Sequence, residues 1–170
     1  MEDHAIGPIH MVADGGRLLA MEFGDVEHRL MPMLRARFGG TPMLEPVNDP
    51  DEITSAIHAY FEGDLAVLDT IDVDGGGTDF QRQAWNALRA IPPGETRTYG
   101  QMAAALGRPN AARAIGMANA LNPISLVVPC HRLVGSNGAL TGYGGGIERK
   151  RWLIDHERRH SAKTQLVVVA

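Results

Sequence analysis

NPISLVVPCHRLVG, residues 122–135, is the stretch on which the architecture and the chemistry of this chain depend. It contains Cys130, the only cysteine in 170 residues, followed directly by His131 and Arg132. A regular central strand is not expected here, because Pro129 has no backbone N–H. A lone cysteine is more often a small buried hydrophobe than a nucleophile. Two potentially cationic neighbours would lower the thiol pKa, however, and this favours a reactive thiolate.

A histidine that acts as a base usually has a third group that orients it. Adjacent side chains on an extended segment point apart, so we expect Cys130 and His131 to communicate through a water or a bend. Glu157 is a candidate partner of His131, since it lies on a partly apolar face of a predicted last helix, where a buried carboxylate needs a partner. Arg151, Arg158 or solvent are equally good partners for this carboxylate on the sequence alone.

The composition indicates a polypeptide with a substantial core and no membrane segment. Hydrophobic residues make up 44% of the sequence, and no apolar run is long enough to span a bilayer. The first ten residues are acidic where a signal peptide would be basic, so we expect a cytoplasmic protein. One cysteine cannot form an internal disulfide or a multi-cysteine zinc site, and the seven histidines show no ligand-like spacing. We therefore expect no metal and no cofactor.

The charge is distributed unevenly along the chain. Residues 1–77 hold 4 Arg and Lys against 15 Asp and Glu, a net charge of −11, whereas residues 78–170 hold 12 against 5, a net charge of +7. The sign changes at DGGG, residues 74–77, which has the composition of a flexible linker. The sequence thus predicts two domains, 1–77 and 78–170. The basic half indicates a polyanionic partner, and attraction between the two halves is the alternative.

The N-terminal half is predicted to be an α/β scaffold without recognisable chemistry. Apolar stretches on both sides of ADGG, residues 13–16, predict a β-hairpin. Residues 51–63 place apolar side chains on one helical face and stop at a glycine. LAVLDTIDV, residues 65–73, is predicted to be another strand.

The C-terminal half has clear helix signals. Two capping boxes, Thr78 with Gln81 and Thr98 with Gln101, predict the starts of two helices. After the second helix, GRPN predicts a tight turn into AARAIGMANALN, residues 111–122, which makes a helix-turn-helix candidate.

The remainder of this half combines predicted strands with a last helix. SLVV (125–128) and HRLVG (131–135) are predicted strands, SNG is a hairpin turn, TGYGGG (141–146) is a glycine-rich loop, and a last helix spans about 147–159.

Two residues in the second helix of the helix-turn-helix candidate weaken that helix, so their presence needs an explanation. Gly116 lies in the helix interior, where glycine costs about 1 kcal/mol relative to alanine. A flat Ala/Gly face lets the backbone approach another surface, and tight internal packing explains it equally well. Arg113 lies in the first turn, where a cation opposes the helix dipole by about 0.3–1 kcal/mol. In a helix-turn-helix that turn meets DNA, although an ordinary surface arginine is the alternative.

These motifs together resemble the O6-alkylguanine-DNA alkyltransferases. The resemblance rests on residues 122–135 with ETRTYGQMA, AARAIGMAN, GALTGYGGG and ERKRWLIDHE, in this order from about Thr78 to Glu157. The N-terminal half matches more loosely, through IGPIHMVADGGRLLAMEF. The resemblance implies an α/β, ribonuclease-H-like N-terminal domain followed by a mainly α winged helix-turn-helix C-terminal domain. It also implies DNA repair, in which the alkyl group of O6-alkylguanine moves irreversibly, once per molecule, to Cys130.

The resemblance implies a catalytic role for each matching residue. Cys130 would accept the alkyl group, His131 would activate it through a water, and Glu157 would hydrogen-bond His131. Asn122 would brace the turn beside the cysteine. The cysteines with which some members hold zinc in the N-terminal domain are absent from this chain.

Substrate contacts are implied in the same way. Tyr143 would hydrogen-bond a guanine ring nitrogen, and the backbone amide of Gly144 would face O6. The main-chain carbonyls of Cys130 and Leu133 would accept the exocyclic amine. Some relatives carry serine at position 144; glycine keeps the amide and loses the hydroxyl.

The implied partner is double-stranded DNA containing O6-alkylguanine, bound through the minor groove by a monomer. Arg113 would enter the duplex in place of the extruded nucleotide, and Tyr99 would help to turn the phosphate. The flat helix face that would approach the groove comprises Ala111, Ala112, Ala114 and Gly116.

Three other functions compete with this interpretation. Alkyltransferase-like proteins share the DNA-binding domain but lack the cysteine, so Cys130 argues against them. A winged-helix transcription factor has no use for PCHR or the glycine-rich loop. A cysteine hydrolase would turn over repeatedly and would not need DNA.

Overall fold

The computed structural model describes residues 6–46 and 52–161. Its strands are β1 (Ile9–Asp14), β2 (Arg17–Phe23), β3 (Arg97–Thr98) and β4 (Leu133–Val134). Its α-helices are α1 (Leu30–Phe38), α2 (Glu52–Glu62), α3 (Asp79–Arg89), α4 (Tyr99–Ala105), α5 (Ala112–Ala120) and α6 (Ile147–Ser161). Short 3-10 helices span Gly24–Arg29, Leu65–Thr70 and Cys130–Arg132.

The predicted hairpin is confirmed. β1 pairs antiparallel with β2, and the turn between Asp14 and Arg17 consists of Gly15 and Gly16. Both glycines have positive φ, 55° and 79°, which a two-residue hairpin turn of this twist requires. β2 is buried along almost its whole length, so it forms the floor on which later segments lie.

The predicted helix over residues 51–63 is confirmed in its described part, α2; residue 51 lies outside the described residues. The apolar face of α2 is buried through Ile53, Ile57 and Tyr60. The helix is followed by Gly63, whose φ of 110° suits glycine and ends the helical run.

The strand predicted over residues 65–73 is wrong for most of its length. Leu65–Thr70 is a 3-10 helix, and only Val73 forms a bridge, to Leu18 of β2. A 3-10 helix has three residues per turn, so apolar residues three apart face the same side. Leu68 and Ile71 are both buried, and this spacing satisfies a 3-10 helix as well as an apolar strand.

Both capping boxes are confirmed. The Thr78 and Thr98 hydroxyls accept from the backbone N–H groups of Gln81 and Gln101, and each glutamine side chain accepts from the backbone N–H of its threonine. They open α3 and α4. The predicted pair of short helices is also present, since α4 and α5 pack against each other across a short turn.

The strand predicted at SLVV is wrong. The segment is a turn that contacts β2 at one bridge, between Ile124 and Met21. Leu126 has a φ of 74°, a left-handed conformation that breaks the extended geometry. The run is bounded by Pro123 and Pro129, which cannot donate to a ladder. Apolar β-branched residues here provide buried contacts rather than strand pairing.

The strand predicted at HRLVG is correct only for Leu133–Val134, which pairs parallel with Arg97–Thr98. The first residues of that stretch belong to a 3-10 helix instead. The SNG turn is present, with Gly138 N–H donating to the Gly135 carbonyl. The predicted last helix is confirmed as α6.

The core runs through both halves of the chain. One cluster of buried apolar residues contains Met21 and Tyr60 from the first half, and Trp85, Ile124 and Leu153 from the second. The architecture is mixed α/β. Within the described ranges, no helix combines the length and apolar character needed to cross a membrane.

Candidate active site

Cys130 opens the 3-10 helix that follows Pro129, and its side chain is 5% exposed. The loop that carries it is held by Asn122, which is buried. Asn122 Nδ2 donates to the Val128 carbonyl at 2.9 Å, and its Oδ1 accepts from Ile124 N–H at 3.0 Å. Asn122 therefore connects the beginning and the end of the loop that leads into the cysteine.

His131 and Glu157 lie side by side, fully buried. The distance between His131 Nε2 and Glu157 Oε1 is 2.8 Å. The sequence left Arg151, Arg158 and solvent as equal partners for this carboxylate, and the tertiary structure selects the histidine. It does so because a 3-10 helix, rather than an extended segment, turns His131 toward α6.

Glu157 has three further donors. Arg132 donates to both carboxylate oxygens, through Nε at 3.0 Å and Nη2 at 2.8 Å. The Tyr60 hydroxyl donates to Oε1 at 3.0 Å, and Gly94 N–H donates to Oε2 at 2.8 Å. Tyr60 belongs to α2, so the first half of the chain contributes directly to this network.

The network determines where the protons lie. Burial by itself would raise the pKa of Glu157, but His131 and Arg132 outweigh it and hold the pKa well below its usual range. Burial lowers the pKa of His131 more than the neighbouring carboxylate raises it. His131 is therefore neutral at pH 7, and Nε2 carries its proton, because the ionised Glu157 can only accept.

The second nitrogen of His131 is consequently a base. Nδ1 keeps its lone pair, and it is buried without a hydrogen-bond partner among the described residues. An imidazole whose Nε2–H is held by a carboxylate can accept a proton at Nδ1. The arrangement provides a nucleophile, a neighbouring base and a group that orients the base.

The expected lowering of the Cys130 pKa by its two neighbours is wrong. Burial raises the pKa of the Cys130 thiol, and hydrogen bonding to Asn122 and the charge of Lys150 oppose this only in part. His131 and Arg132 do not offset burial because both side chains are directed to Glu157. The resting thiol is therefore protonated at neutral pH and depends on a base for activation.

A cavity of about 500 Å³ opens beside the thiol. Its size suits a single flat heterocycle. The hydroxyl of Tyr143 is buried and has no hydrogen-bond partner within the described ranges, and burial raises the Tyr143 pKa well above its ordinary value. Tyr143 is thus a permanent donor at neutral pH. The cavity is lined by Arg29, Tyr99, Gly116, Asn119, Ala120, Asn122, Ser125, Cys130, Gly142, Tyr143 and Gly144.

Comparison with known proteins shows the family. Residues 79–159 match the family model described as 6-O-methylguanine DNA methyltransferase, DNA binding domain. The methylated-DNA–protein-cysteine methyltransferase of Salmonella typhimurium is 50% identical over 155 residues, which cover 89% of this chain and 90% of the relative. The chain belongs to the methylated-DNA–protein-cysteine methyltransferase family. The resemblance inferred from the motifs, and the enzyme class that follows from it, are confirmed.

Solved structures of methyltransferases share the fold. Mycobacterium tuberculosis OGT in complex with DNA matches with a TM-score of 0.74 and 41% identity, over 94% of this chain and 91% of that chain. The O6-methylguanine-DNA methyltransferase of the archaeon Pyrococcus kodakaraensis matches with a TM-score of 0.69 and 26% identity, over 88% of this chain and 97% of that chain.

The remaining predicted residues of this methyltransferase lie around the cavity or on α5. Leu133 is buried in β4, next to the cysteine turn, and Gly144 lies at the cavity wall beside Tyr143. Tyr99 begins α4 and reaches the cavity. Ala111 is the N-cap residue of α5, Ala112 and Ala114 lie in its first turn, and Gly116 lines the cavity.

Internal packing does not explain Gly116. A Cβ built at this position would meet only the Tyr99 ring, at 3.9 Å, which is ordinary van der Waals contact. Arg113 is exposed, and its guanidinium makes no hydrogen bond or ion pair with the residues that the structure describes. Contacts within the described part of the chain therefore explain neither residue.

Several residues of this methyltransferase site were missed by sequence reasoning. They are Glu22, Arg29, Tyr60, Asn119, Ser125 and Lys150. Arg132 was expected to act on the thiol, and the structure directs it to Glu157 instead. Lys150 is completely buried, and its Nζ donates to the Thr141 carbonyl at 2.8 Å, at the start of the glycine-rich loop. Lys150 lies near the start of α6, between two arginines, and nothing in this local sequence indicates that it is buried. Among the described residues no group of three or more His, Cys, Asp and Glu could hold a metal ion.

Proposed function

We propose that this chain repairs O6-alkylguanine in double-stranded DNA by transferring the alkyl group irreversibly to its own Cys130. The observation that carries the proposal is the buried Cys130, with His131 and Glu157 behind it and a base-sized cavity in front of it. The membership of the methylated-DNA–protein-cysteine methyltransferase family supports it. The DNA in the related Mycobacterium tuberculosis structure supports DNA as the partner.

The two domains would have different roles in this reaction. Residues 78–170, including α4 and α5, would form a winged helix-turn-helix that carries the alkyl acceptor. Residues 1–77 would form a ribonuclease-H-like scaffold that closes the rear of the site. The protein would act as a monomer, since one thiol and the cavity beside it suffice for the reaction. It would act in the cytoplasm.

The target base must leave the duplex before it can react. O6 lies inside the stack, so the nucleotide has to be extruded, which costs a few kcal/mol of unstacking. The flat face of α5 would approach the minor groove, and the unpartnered Arg113 would fill the space that the base leaves. Tyr99, at the start of α4, would help to turn the phosphate.

The thiol is activated through His131. The Cys130 proton would move through a bridging water to Nδ1, whose lone pair is available because Nε2–H is held by Glu157. The imidazolium that forms is stabilised by the ionised Glu157 carboxylate. Asn122 keeps the thiol in place through its hydrogen bonds across the loop.

The transfer is an in-line displacement at the alkyl carbon. The bond between Sγ and carbon forms while the bond between carbon and O6 breaks, and its electron pair remains on the guanine. The guanine anion then takes up a proton from water, and the imidazolium of His131 returns the proton it received from Cys130 to the solvent. The Tyr143 hydroxyl would donate to a ring nitrogen, and the Gly144 N–H would face O6, so that both stabilise the negative charge as it develops. The carbonyls of Cys130 and Leu133 would accept from the exocyclic amine and select guanine.

Each molecule reacts once, because water does not hydrolyse a thioether under mild conditions. The test is intact mass spectrometry after incubation with an excess of duplex oligonucleotide containing O6-methylguanine. We expect one added methyl group per protein, at Cys130, and an equal amount of restored guanine. Repeated turnover, or a methyl group on another residue, would contradict the proposal.

Cys130→Ser separates chemistry from binding. A serine hydroxyl is almost un-ionised at neutral pH, so the variant is expected to retain DNA affinity and lose transfer. Loss of DNA affinity together with transfer would make the cysteine a structural residue instead.

A further inference from the structure

Arg29 is a residue of the cavity wall for which the proposed mechanism has no role. It ends the 3-10 helix Gly24–Arg29, in the half of the chain predicted to be a scaffold. Its Nη2 donates to the Ala120 carbonyl at the end of α5, at 2.9 Å. Its Nη1 lies 3.5 Å from Glu22 Oε1. The guanidinium thus reaches from the first half of the chain into the cavity that contains Cys130.

Glu22 holds this guanidinium in place. Its side chain is completely buried, and its Oε2 accepts from the Ser125 hydroxyl at 3.1 Å. Its other oxygen, Oε1, has no hydrogen bond from the described residues. A buried carboxylate needs a nearby cation, and Arg29 is the one that Glu22 faces. The pair therefore fixes the direction of Arg29, but it does not explain why the arginine faces the cavity.

The guanidinium of Arg29 can face the cavity because residue 144 is a glycine. A Cβ built on Gly144 would overlap the Arg29 guanidinium at Nη1. The arginine therefore occupies the volume that any side chain at position 144 would take. Since the overlap is with the far end of a flexible side chain, a substitution at 144 would displace the guanidinium rather than strain the backbone. Gly144 and Arg29 form one structural unit.

O6-alkylguanine offers its ring nitrogens N1, N3 and N7 as acceptors, and the proposed contacts use only one of them. Tyr143 is assigned to a ring nitrogen, the Gly144 amide to O6, and two main-chain carbonyls to the exocyclic amine. Among the acceptors, N7 shares the major-groove edge of the base with O6, and arginine is the side chain that most often reads this edge of guanine. A guanidinium in contact with Gly144 lies next to the atom that the Gly144 amide faces.

We propose that Arg29 is a substrate-binding residue of this site, donating a guanidinium N–H to N7 of the extruded O6-alkylguanine, and that position 144 must be glycine for it to do so. This inference rests on the proposed function. The S–C bond forms and the C–O6 bond breaks as described above, and Arg29 keeps its proton throughout. Its positive charge stabilises the electron pair that remains on the guanine ring.

The test uses the free bases O6-benzylguanine and 7-deaza-O6-benzylguanine, which carries a C–H in place of N7. Single-turnover benzyl transfer to Cys130 is measured for the wild type, Gly144→Ala, and Arg29→Met combined with Glu22→Gln. The second change removes the carboxylate that Arg29→Met alone would leave unpaired. Arg37→Met is the matched control, because Arg37 pairs with Asp74 away from this cavity.

We expect the Arg29→Met/Glu22→Gln variant to transfer benzyl about 10- to 100-fold more slowly from O6-benzylguanine, the range for losing a hydrogen bond to a charged group. Gly144→Ala should slow transfer in the same direction, and adding it to the double variant should cause little further loss. For each protein, the transfer rate from O6-benzylguanine is divided by the rate from its 7-deaza analogue. This ratio should be about 10-fold larger for the wild type than for the double variant. Arg37→Met should match the wild type.

The outcomes separate this proposal from the one on which it rests. Absence of transfer in the wild type would overturn both. If the wild type transfers benzyl but shows the same rate ratio between O6-benzylguanine and its 7-deaza analogue as the double variant, the role of Arg29 is overturned and the proposed function stands. Slower alkylation of Cys130 by iodoacetamide in the variant, by the same factor as benzyl transfer, would also overturn it, since the change would then lie in the thiol.

Discussion

At the scale of single residues, the chemistry depends on burial more than on neighbours in the sequence. Cys130 is followed by two potential cations, yet burial raises the pKa of its thiol. The two neighbours do not counteract burial, because both side chains are bound to Glu157. Under the proposed single-turnover reaction, a protonated resting thiol would be protected from unrelated electrophiles. Activation would then depend on His131 and on the substrate being in place.

The pH dependence of Cys130 alkylation by iodoacetamide, without DNA, tests this. Because burial raises the thiol pKa, the midpoint is expected above that of free cysteine. The charge of Lys150 lowers the pKa of Cys130, so Lys150→Met should slow alkylation at pH values where the lysine is charged, whereas Lys150→Arg keeps the charge and should slow it less. Burial lowers the pKa of Lys150 itself to about 8, so the difference between wild type and Lys150→Met should fade above that pH. A wild-type midpoint at or below that of free cysteine would refute the account.

Glu157→Gln tests the buried charge network through stability. Removing one partner of a buried ion pair costs about 3–5 kcal/mol, since Arg132 is left without its carboxylate. The pKa of Glu157 is lowered in the folded state, so its contribution is complete above the ordinary carboxyl pKa and is lost as the pH falls toward the folded value. The difference between wild type and variant in urea unfolding should be constant near neutral pH and shrink below about pH 4.

Glu148→Gln is the control for that measurement. Glu148 lies on the same helix, exposed, and pairs with Arg151. Exposed pairs contribute about 0–1 kcal/mol, so this variant should remain close to the wild type at every pH. Equal destabilisation by both substitutions would indicate a general effect of charge on α6 rather than a buried network.

At the scale of secondary-structure elements, α5 carries several features that weaken a helix. It has no side-chain cap, a glycine in its interior, and an arginine in its first turn. Its exposed residues include Met117 and the small Ala114, and Leu121, the residue that follows the helix, is exposed as well. These features have no folding benefit, and they agree with the proposed role of α5 in DNA binding.

Arg113→Ala tests whether α5 supports base extrusion. Folding does not depend on this residue, so the thermal unfolding midpoint should change little. Single-turnover repair of duplex DNA should slow severely, repair of single-stranded DNA should slow less, and reaction with free O6-benzylguanine should be nearly unchanged, because the free base leaves no stack to fill. The matched control is Arg151→Ala on α6. Equal slowing of all three substrates would place Arg113 in the active site or the fold.

At the scale of the whole molecule, the two oppositely charged halves share one hydrophobic core. The active site is built from both, since Tyr60 donates to Glu157 and Arg29 reaches the cavity. The first half is therefore more than a support. The positive charge of the second half is available for phosphates.

The salt dependence of duplex binding tests this use of charge. If residues 78–170 neutralise phosphates, the logarithm of affinity should fall linearly with the logarithm of salt concentration, by about 0.9 per phosphate contacted. The rate with uncharged O6-benzylguanine should hardly respond to salt and serves as the control. A flat binding curve would instead favour mutual neutralisation of the two halves.

Local signals in the sequence predicted much of the fold. The hairpin turn, both capping boxes and the ends of the helices depend on residues within a few positions of each other, so their geometry can be inferred without the rest of the chain. Apolar runs were less informative. LAVLDTIDV and SLVV satisfied the pattern of a strand but became a 3-10 helix and a turn, since contacts with β2 and the core decide how a short buried run folds.

The sequence by itself determined the family, the single thiol and the candidates Cys130, His131 and Glu157. Only the tertiary structure decided which group meets Glu157, that the thiol pKa is raised, and that Arg29, Tyr60 and Lys150 belong to the site. The physical reason is that the chemical identity of each side chain can be read from the sequence, whereas burial and pairing arise between distant residues, such as Tyr60 and Glu157, which are 97 positions apart. Desolvation and long-range hydrogen bonds, which set protonation and orientation, exist only once the chain has folded.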